Sequence, residues 1–209
     1  MSLFSESPGM DKTNDNSNAG DAKSALGAIV DLDGTLLDSE KYWDLLPFDY
    51  IRSKGLEPPP DIREKVMEME LDECSRYMKT RMGLKEEPSV IKSELVEMIR
   101  SVYTEKAQFY PGAADFVKGL RSRGVRMALF SASEHSCIEA CLKRHGVLDC
   151  FDFIVSTMDI GMDKHSPEAF LKVLEMLGTT LENTIVYEDA PYALLGAHSA
   201  GFKTITLEH

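Results

Sequence analysis

The segment 28–38 has the sequence AIVDLDGTLLD, and the rest of the chain is interpreted from it outward. A short apolar run over 26–30 predicts a buried parallel strand. The run ends at Asp31 and Asp33, which point to the same side because side chains alternate along a strand, and Gly34 lets the chain turn beyond them. Two carboxylates this close repel each other unless a cation or a shared proton offsets them. A strand that ends in an ordinary acidic turn is the alternative.

The composition predicts an acidic protein with a substantial core. Its 209 residues suit one medium domain or a core with a small insert, and 43% of them are hydrophobic. The formal charge of -12 argues against nucleic acid or an anionic membrane as the main partner. No apolar run is long enough to span a bilayer, and no signal-peptide pattern opens the chain. We expect a cytoplasmic monomer.

The cysteines and the chain ends contribute little to a functional interpretation. Cys137 and Cys141 lie four residues apart on a predicted helix, as half of a metal site or, as we favour, as buried thiols. The absence of C-x-x-C spacing agrees with a reducing compartment. Residues 1–24 have the composition of a disordered tail, and 207–209 resemble the remnant of a purification tag.

A long helical stretch follows the first strand directly. Spacing and breakers predict one helix over 39–54 capped by Ser39, a second from Asp61 to Gly83, and a third that opens at Pro88. No strand pattern interrupts these three helices. We therefore expect 39–107 to form a small all-helical insert, packed as a bundle.

From Tyr110 onward, predicted strands and helices alternate. Further strands are expected over 125–130, 153–155, 184–187 and 204–207, with helices over 113–123 and 135–145, from Ser166, and over 191–200. This alternation predicts the α/β class: a Rossmann-like parallel sheet covered by helices on both faces. Functional sites in such folds lie beyond the carboxyl ends of the strands.

Polar side chains stand at those strand ends. Ser131 and Ala132 follow the second strand, where a hydroxyl and turn amides can donate to a phosphate. Glu188 and Asp189 follow the fourth strand, and Lys164 opens the helix between, a position that the helix dipole disfavours. Each also has an ordinary explanation, as a strand end, a helix cap or a solvated lysine.

The order of these groups resembles the four motifs of the haloacid dehalogenase-like (HAD) superfamily. An acidic pair, a serine, a lysine before a helix and a second acidic pair follow one another from about Leu26 to the end of the chain. Tyr110-Pro111-Gly112-Ala113 and the stretch after Glu188 look more narrowly like the β-phosphoglucomutase-like branch. The resemblance implies an α/β core from 25–38 and 108–209, with 39–107 as a mobile helical cap.

The resemblance also implies roles for the motif residues in phosphoryl transfer. Asp31 would attack phosphorus and form an aspartyl-phosphate. Asp33 would protonate the leaving oxygen and then take a proton from the attacking water. Lys164 would offset the charge on the phosphoryl group and on Asp31. Ser131 and the amide of Ala132 would hold phosphate oxygens.

A magnesium ion is part of the implied site. Mg²⁺ would bind the carboxylates of Asp31 and Asp189 and the carbonyl of Asp33, with Glu188 nearby, and its preference for hard oxygen ligands fits this set. The implied activity is hydrolysis of a small phosphorylated metabolite, such as a sugar phosphate.

The sequence departs from the pattern of that branch at several places. Asp163-Lys164-His165-Ser166-Pro167 replaces a common G-K-P-x-P, Ala190 replaces a serine, and Tyr192-Ala193 replace Ala-Gly. Because the lysine remains, we interpret these as changes in loop rigidity. A helix that relatives commonly run beyond the fifth strand is also missing.

Two other functions stay open at this point. A sugar-phosphate mutase would be expected to carry a histidine where Trp43 stands and an arginine in the stretch that corresponds to 68–72, which is acidic here. Both absences favour transfer to water. A non-catalytic binding protein with a HAD-like fold is the second alternative, and such proteins usually lose the nucleophile or the metal carboxylates, which are all present.

Overall fold

The computed structural model describes residues 25–67, 69 and 71–209. The predicted disordered tail over 1–24 and the acidic positions Glu68 and Glu70 lie outside the described residues. Five parallel strands form one sheet in the order β3-β2-β1-β4-β5, which places the strand before Asp31 at its centre. The strands are β1 (Gly27–Val30), β2 (Arg126–Ser131), β3 (Phe153–Ser156), β4 (Thr184–Tyr187) and β5 (Lys203–Ile205).

Alternate side chains of the central strands pack into two separate hydrophobic cores. Ala28 and Val30 of β1 lie in one core with Leu129 of β2. Ile29, between them, lies in the other core with Phe130. Both faces of the sheet are therefore buried, as the apolar runs of these strands predict.

Helices cover both faces of the sheet. The helices are α1 (Glu40–Ser53), α2 (Ile62–Val66), α3 (Leu71–Met82), α4 (Pro88–Ser101), α5 (Ala113–Ser122), α6 (His135–Arg144), α7 (Thr157–Ile160), α8 (Pro167–Leu177) and α9 (Pro191–Ser199). Helices α5 and α6 contribute Val117 and Ile138 to one core. Helices α8 and α9 contribute Phe170 and Ala197 to the other. The predicted α/β class, a Rossmann-like parallel sheet, is confirmed.

Helices α1 to α4 lie between β1 and α5 and have a hydrophobic cluster of their own. Its buried members are Tyr50, Ile51, Ile62, Val66, Cys74, Met78, Leu84, Ile91 and Leu95. We call residues 39–107 the helical insert. The division of the chain into a core and a cap that moves as a unit remains a prediction.

The two connections between insert and core run side by side. Leu37 forms isolated β-bridges with both Asp33 and Phe109. The N–H of Asp38 donates to the carbonyl of Gln108 at 2.9 Å. The insert is thereby attached to the core next to Asp33. Within the part of the chain that the structure describes, no helix has both the length and the apolar character needed to cross a membrane.

Several predicted element boundaries are wrong. The helix expected from Asp61 to Gly83 is two helices, α2 and α3, and Met67 between them is 59% exposed, so its apolar side chain gains no burial that would extend α2. The fifth strand is Lys203–Ile205 instead of 204–207, and the first begins at Gly27. The Ser39 hydroxyl, expected to cap α1, makes no cap hydrogen bond.

Candidate active site

Asp31 lies directly beyond β1 and is almost fully buried. Its N–H donates to the carbonyl of Tyr187, which continues the sheet ladder and fixes the backbone at the carboxyl end of the strand. The ammonium of Lys164 donates to Asp31 Oδ1 and, at 2.7 Å, to Glu188 Oε2. Lys164 is 3% exposed and lies over the ring of Phe130. One buried lysine therefore bridges the acidic ends of β1 and β4.

Burial is the largest single influence on the pKa values of Asp31 and Lys164. Burial raises the pKa of the Asp31 carboxyl well above its usual range; Lys164 opposes that rise, while the charges of Glu188 and Asp33 add to it. Burial alone would lower the pKa of Lys164, but the charges of Asp31 and Glu188 and their hydrogen bonds outweigh it, so this pKa lies above its ordinary value. Lys164 is therefore charged, and further positive charge beside Asp31 would favour the ionised form of its carboxyl.

Three carboxylates in this cluster fit a divalent cation. Asp31, Glu188 and Asp189 each offer an oxygen, and these oxygens lie within 4.8 Å of one another. Among the described residues, Asp31 Oδ2 is the buried side-chain oxygen without a hydrogen-bond partner. A buried carboxylate oxygen is costly to leave unsatisfied, so it is available to a cation or to a phosphorus atom. This donor set suits Mg²⁺.

The turn after the first motif brings Asp189 into place. Gly34 has a φ of +83°, and a Cβ at this position would clash with the Asp189 carboxylate. The hydroxyl of Thr35 donates to Asp189 Oδ1 at 2.8 Å. The Gly-Thr pair of the motif therefore orients the second acidic pair, 154 residues away in sequence.

Asp33, two residues beyond Asp31, lies among hydroxyl groups. Its Oδ1 accepts from Ser39 at 2.6 Å and from Tyr103 at 2.7 Å. Its Oδ2 accepts from Ser133 at 2.8 Å and from Ser131 at 3.3 Å. The Ser39 hydroxyl is thus used by Asp33, which explains why it does not cap α1. The structure therefore places Ser131, a predicted phosphate ligand, against Asp33.

Lys164 lies in a turn that precedes α8, whereas the sequence predicted it at the start of a helix. The helix begins at Pro167, so the expectation that the helix dipole disfavours Lys164 is wrong. Lys164 differs from a solvated lysine because it is buried against two carboxylates. In α9, a Cβ at Gly196 would clash with the Lys164 carbonyl, so glycine lets that helix approach the turn. His165 and Tyr192 stack with ring centroids 4.5 Å apart. These two departures from the branch pattern thus contact each other.

A cavity of about 760 Å³ lies over Asp33, between the core and the insert. The insert contributes apolar side chains, and the core contributes most of the polar ones. The lining residues are Trp43, Leu71, Val96 and Ile99 from the insert, and Asp33, Ala132, Ser133, Glu134, Cys137, Thr157 and Met158 from the core. Ala132, predicted to bind phosphate, therefore lies on the floor of this cavity.

Sequence reasoning missed three residues that shape the site. Thr35 stands inside the first motif, so its position there was a usable signal. Gly196 and Tyr103 carry no local signal, because their contacts join segments far apart in sequence. The cysteines, by contrast, match the favoured interpretation: Cys137 and Cys141 are free and buried, and burial raises the pKa of Cys141 to about 12.

Sites in α/β folds lie at the carboxyl edge of the parallel sheet, where this chain has its buried Asp31–Lys164–Glu188 cluster. Comparison with known proteins identifies the family. The profile of the haloacid dehalogenase-like hydrolases matches residues 26–201. The chain belongs to this family, as the motif order predicted.

Two curated relatives and one solved structure illustrate the proteins to which this chain is similar. A phosphorylated carbohydrates phosphatase of Thermotoga maritima is 25% identical over 85% of this chain and 82% of its own. A fructose-1-phosphate phosphatase of Escherichia coli is 27% identical over 86% and 94%. The crystal structure of a candidate beta-phosphoglucomutase from Thermotoga maritima superposes with a TM-score of 0.78 at 24% identity, over 88% of this chain and 86% of that one. The chain is accordingly a phosphatase of the HAD type.

Proposed function

We propose that the protein is a Mg²⁺-dependent phosphomonoester hydrolase that works through an aspartyl-phosphate on Asp31. The observation that carries this proposal is the Asp31 carboxylate: Oδ1 is held by Lys164, while the buried Oδ2 has no partner among the described residues. A nucleophilic oxygen must be free to approach phosphorus, and a fixed neighbour must limit its rotation.

The chemistry is a double displacement at phosphorus. In the first step an Asp31 oxygen forms a bond to phosphorus as the ester P–O bond breaks, and Asp33 gives its proton to the departing oxygen. In the second step Asp33 takes a proton from water, whose oxygen attacks phosphorus and releases Asp31 and inorganic phosphate. Lys164 offsets negative charge in both steps.

The carboxylates of Asp31, Glu188 and Asp189 would hold the magnesium ion. When bound, the ion supplies positive charge against the phosphoryl oxygens and the crowded carboxylates. The requirement follows from the local charges, since one ammonium cannot balance three buried or half-buried carboxylates.

The lining of the cavity favours water over a sugar as the phosphoryl acceptor. Among the described residues that line it there is no lysine or arginine for a second phosphate, and no histidine to activate a sugar hydroxyl. Trp43 occupies this lining, at the position where a mutase was expected to carry histidine. The names of the relatives, a phosphorylated carbohydrates phosphatase and a fructose-1-phosphate phosphatase, support phosphorylated sugars as the substrate class. A cytoplasmic location and a monomeric state stay predictions.

The test is a screen of phosphorylated sugars and other small phosphomonoesters for release of inorganic phosphate with Mg²⁺. We expect activity on sugar phosphates that excess chelator removes, and calorimetry should show Mg²⁺ binding that Asp189→Asn weakens. Full activity in chelator would refute the metal assignment. Absence of phosphate release with every ester, although Mg²⁺ binds, would favour the non-catalytic alternative.

A second assay separates hydrolase from mutase. The wild-type protein is incubated with β-glucose 1-phosphate, Mg²⁺ and a bisphosphate primer, and both free phosphate and glucose 6-phosphate are followed. We expect free phosphate to be the main product. Glucose 6-phosphate that accumulates faster than free phosphate would reverse the assignment.

A further inference from the structure

Tyr103 lies where the insert returns to the core, and its hydroxyl reaches the proposed acid–base residue. It belongs to a π-helical turn, Val102–Lys106, that follows α4. The side chain is fully buried, and its hydroxyl oxygen lies 2.7 Å from Asp33 Oδ1 and 2.6 Å from Ser133 Oγ. Short π-helical segments are rare and occur often at functional sites.

The position of Tyr103 is set by the core. Arg144 of α6 donates from Nε to the Tyr103 carbonyl at 3.3 Å, and its Nη2 donates to the carbonyl of Ala107. The rings of Tyr103 and Trp43 meet in a T-shaped arrangement, with centroids 6.4 Å apart. A tyrosine hydroxyl keeps its proton near neutral pH and can therefore donate. The hydroxyl is thus a fixed donor that needs no substrate to hold it in place.

Asp33 depends on such donors because of where it stands. It is only half-buried, on the loop after β1, and it lines the cavity together with Ser133. A carboxyl group that can rotate freely spends little time in the orientation needed for proton transfer, and small errors in geometry cost large factors in rate.

We propose that Tyr103 is a positioning residue for Asp33, and that its hydroxyl, together with Ser133, holds the carboxyl group toward the leaving-group oxygen. This inference rests on the proposed function, in which Asp33 protonates that oxygen. The competing explanation is that Tyr103 only fills space where the insert returns to the core, in which case a phenylalanine ring would serve as well.

The chain offers a matched control for the loss of a buried tyrosine hydroxyl. Tyr50, in α1, is 1% exposed and belongs to the hydrophobic cluster of the insert, and its hydroxyl donates to Glu94 at 2.6 Å. Tyr50→Phe and Tyr103→Phe therefore each remove one hydroxyl from a buried ring, and in the wild type each hydroxyl donates to a carboxylate. Only Tyr103 touches Asp33.

The experiment compares esters that differ in their need for an acid. The leaving group of an alkyl phosphate is a basic alkoxide, which needs a proton as it departs. The leaving group of p-nitrophenyl phosphate is a stable phenolate, which does not. The ratio kcat/KM reports the steps through the first P–O cleavage. For Tyr103→Phe we expect a loss of roughly 10- to 100-fold with the alkyl ester, part of the 10² to 10⁴ available from acid–base catalysis, mostly in kcat. The aryl ester should change by less than about threefold, below the range of acid–base effects.

The other variants decide what a failure means. Tyr50→Phe should leave kcat/KM for both esters near wild type, and thermal unfolding confirms that each variant is folded. Ser133→Ala, which removes a second of the four hydroxyls that donate to Asp33, should repeat the asymmetry between the esters. Equal losses with both esters, or no loss in Tyr103→Phe, would overturn the positioning role. If Asp33→Asn itself shows no asymmetry, the failure lies in the proposed function.

Discussion

The carboxyl edge of the sheet and the helical insert treat charge in opposite ways. At the sheet edge, Asp31, Lys164 and Glu188 are each at most 5% exposed. In the insert the buried cluster is apolar, and charged groups stay nearer its surface, as where Lys54 pairs with Glu94 at 2.6 Å. Burying charges costs more free energy than an apolar core, even when they are paired. A fold retains such a cluster when its chemistry is needed.

The contrast indicates how the two regions divide the work. The sheet fixes the charged cluster on backbone that is held by hydrogen bonds, whereas the insert supplies an apolar wall, including Trp43 and Ile99, to the cavity that contains Asp33. Substitutions at the sheet edge should therefore change turnover. Substitutions inside the hydrophobic cluster of the insert should change stability and leave turnover near that of the wild type.

The largest effect is expected from Lys164→Met. Removal of the ammonium leaves Asp31 and Glu188 buried without their partner, so we expect a loss of about 3–5 kcal/mol in the free energy of unfolding without Mg²⁺, as for other broken buried pairs. Turnover should fall by roughly 10² to 10³, as when one preorganised donor is removed from an active site. Urea denaturation and steady-state kinetics measure the two effects.

Lys54→Met is the matched control, because Lys54 also bridges two carboxylates, Glu86 and Glu94, but in the insert. It should cost at most about 1 kcal/mol, as ion pairs near the surface do, and leave kcat unchanged. Equal effects of the two lysines on turnover would remove the distinction between the regions.

A middle-sized effect is expected from Ile91→Ala in the insert. Ile91 is fully buried in the hydrophobic cluster and is not among the residues that line the cavity over Asp33. Truncation should lower the free energy of unfolding by about 2–4 kcal/mol, since it leaves a cavity. At a temperature where the variant is folded, kcat should remain within about twofold of wild type, because each 1.4 kcal/mol of barrier is a factor of ten. A tenfold loss of kcat in the folded variant would contradict the division.

The smallest effect concerns His145, which follows α6 and packs against Phe109, where the insert returns to the core. Its ring stacks on Phe109 at 4.0 Å, its Nε2 accepts from the Phe109 N–H at 3.2 Å, and Nδ1 faces the Cys141 carbonyl at 2.9 Å. Burial lowers the pKa of His145. The folded state then binds fewer protons than the unfolded state, so this contribution is full above the ordinary pKa of 6.5 and is lost as pH falls through the lowered value.

Thermal unfolding between pH 7.5 and about 5, the range over which an ordinary histidine titrates, measures this contribution. His145→Gln should be less stable than wild type near neutral pH, because the ring contacts are lost, but its unfolding temperature should fall less steeply as pH decreases. His198→Gln, at an exposed imidazole, is the control and should retain the wild-type slope. A steeper fall of the unfolding temperature with decreasing pH in His145→Gln would contradict the expected direction of this contribution.

The sheet and the residues at its edge could be predicted because their signals are local. Asp31, Ser131 and Glu188 each follow an apolar run directly, and parallel strands carry their carboxyl ends to one edge. The lysine could be found only by motif order, since the helix that was expected at Lys164 begins at Pro167.

The remaining features arise from tertiary contacts that no local pattern encodes. The Tyr103 hydroxyl reaches Asp33 from 70 residues away, and the Ser39 hydroxyl bonds to Asp33 instead of the helix that it precedes. The stack of His165 on Tyr192 likewise joins the turn before α8 to the first turn of α9. Where a side chain has two possible partners, the packed structure selects one, and sequence spacing cannot.

The central claim, that Asp31 becomes phosphorylated, is tested most directly by trapping the intermediate in Asp33→Asn. With p-nitrophenyl phosphate and Mg²⁺ the first step needs no acid, while attack of water lacks its base, so the phosphoenzyme should accumulate. Mass spectrometry of the quenched, digested protein should find one phosphoryl group on the peptide that contains Asp31, and none in the double variant Asp31→Asn/Asp33→Asn. A phosphoryl group that persists in the double variant, or that lies on another peptide, would contradict the account.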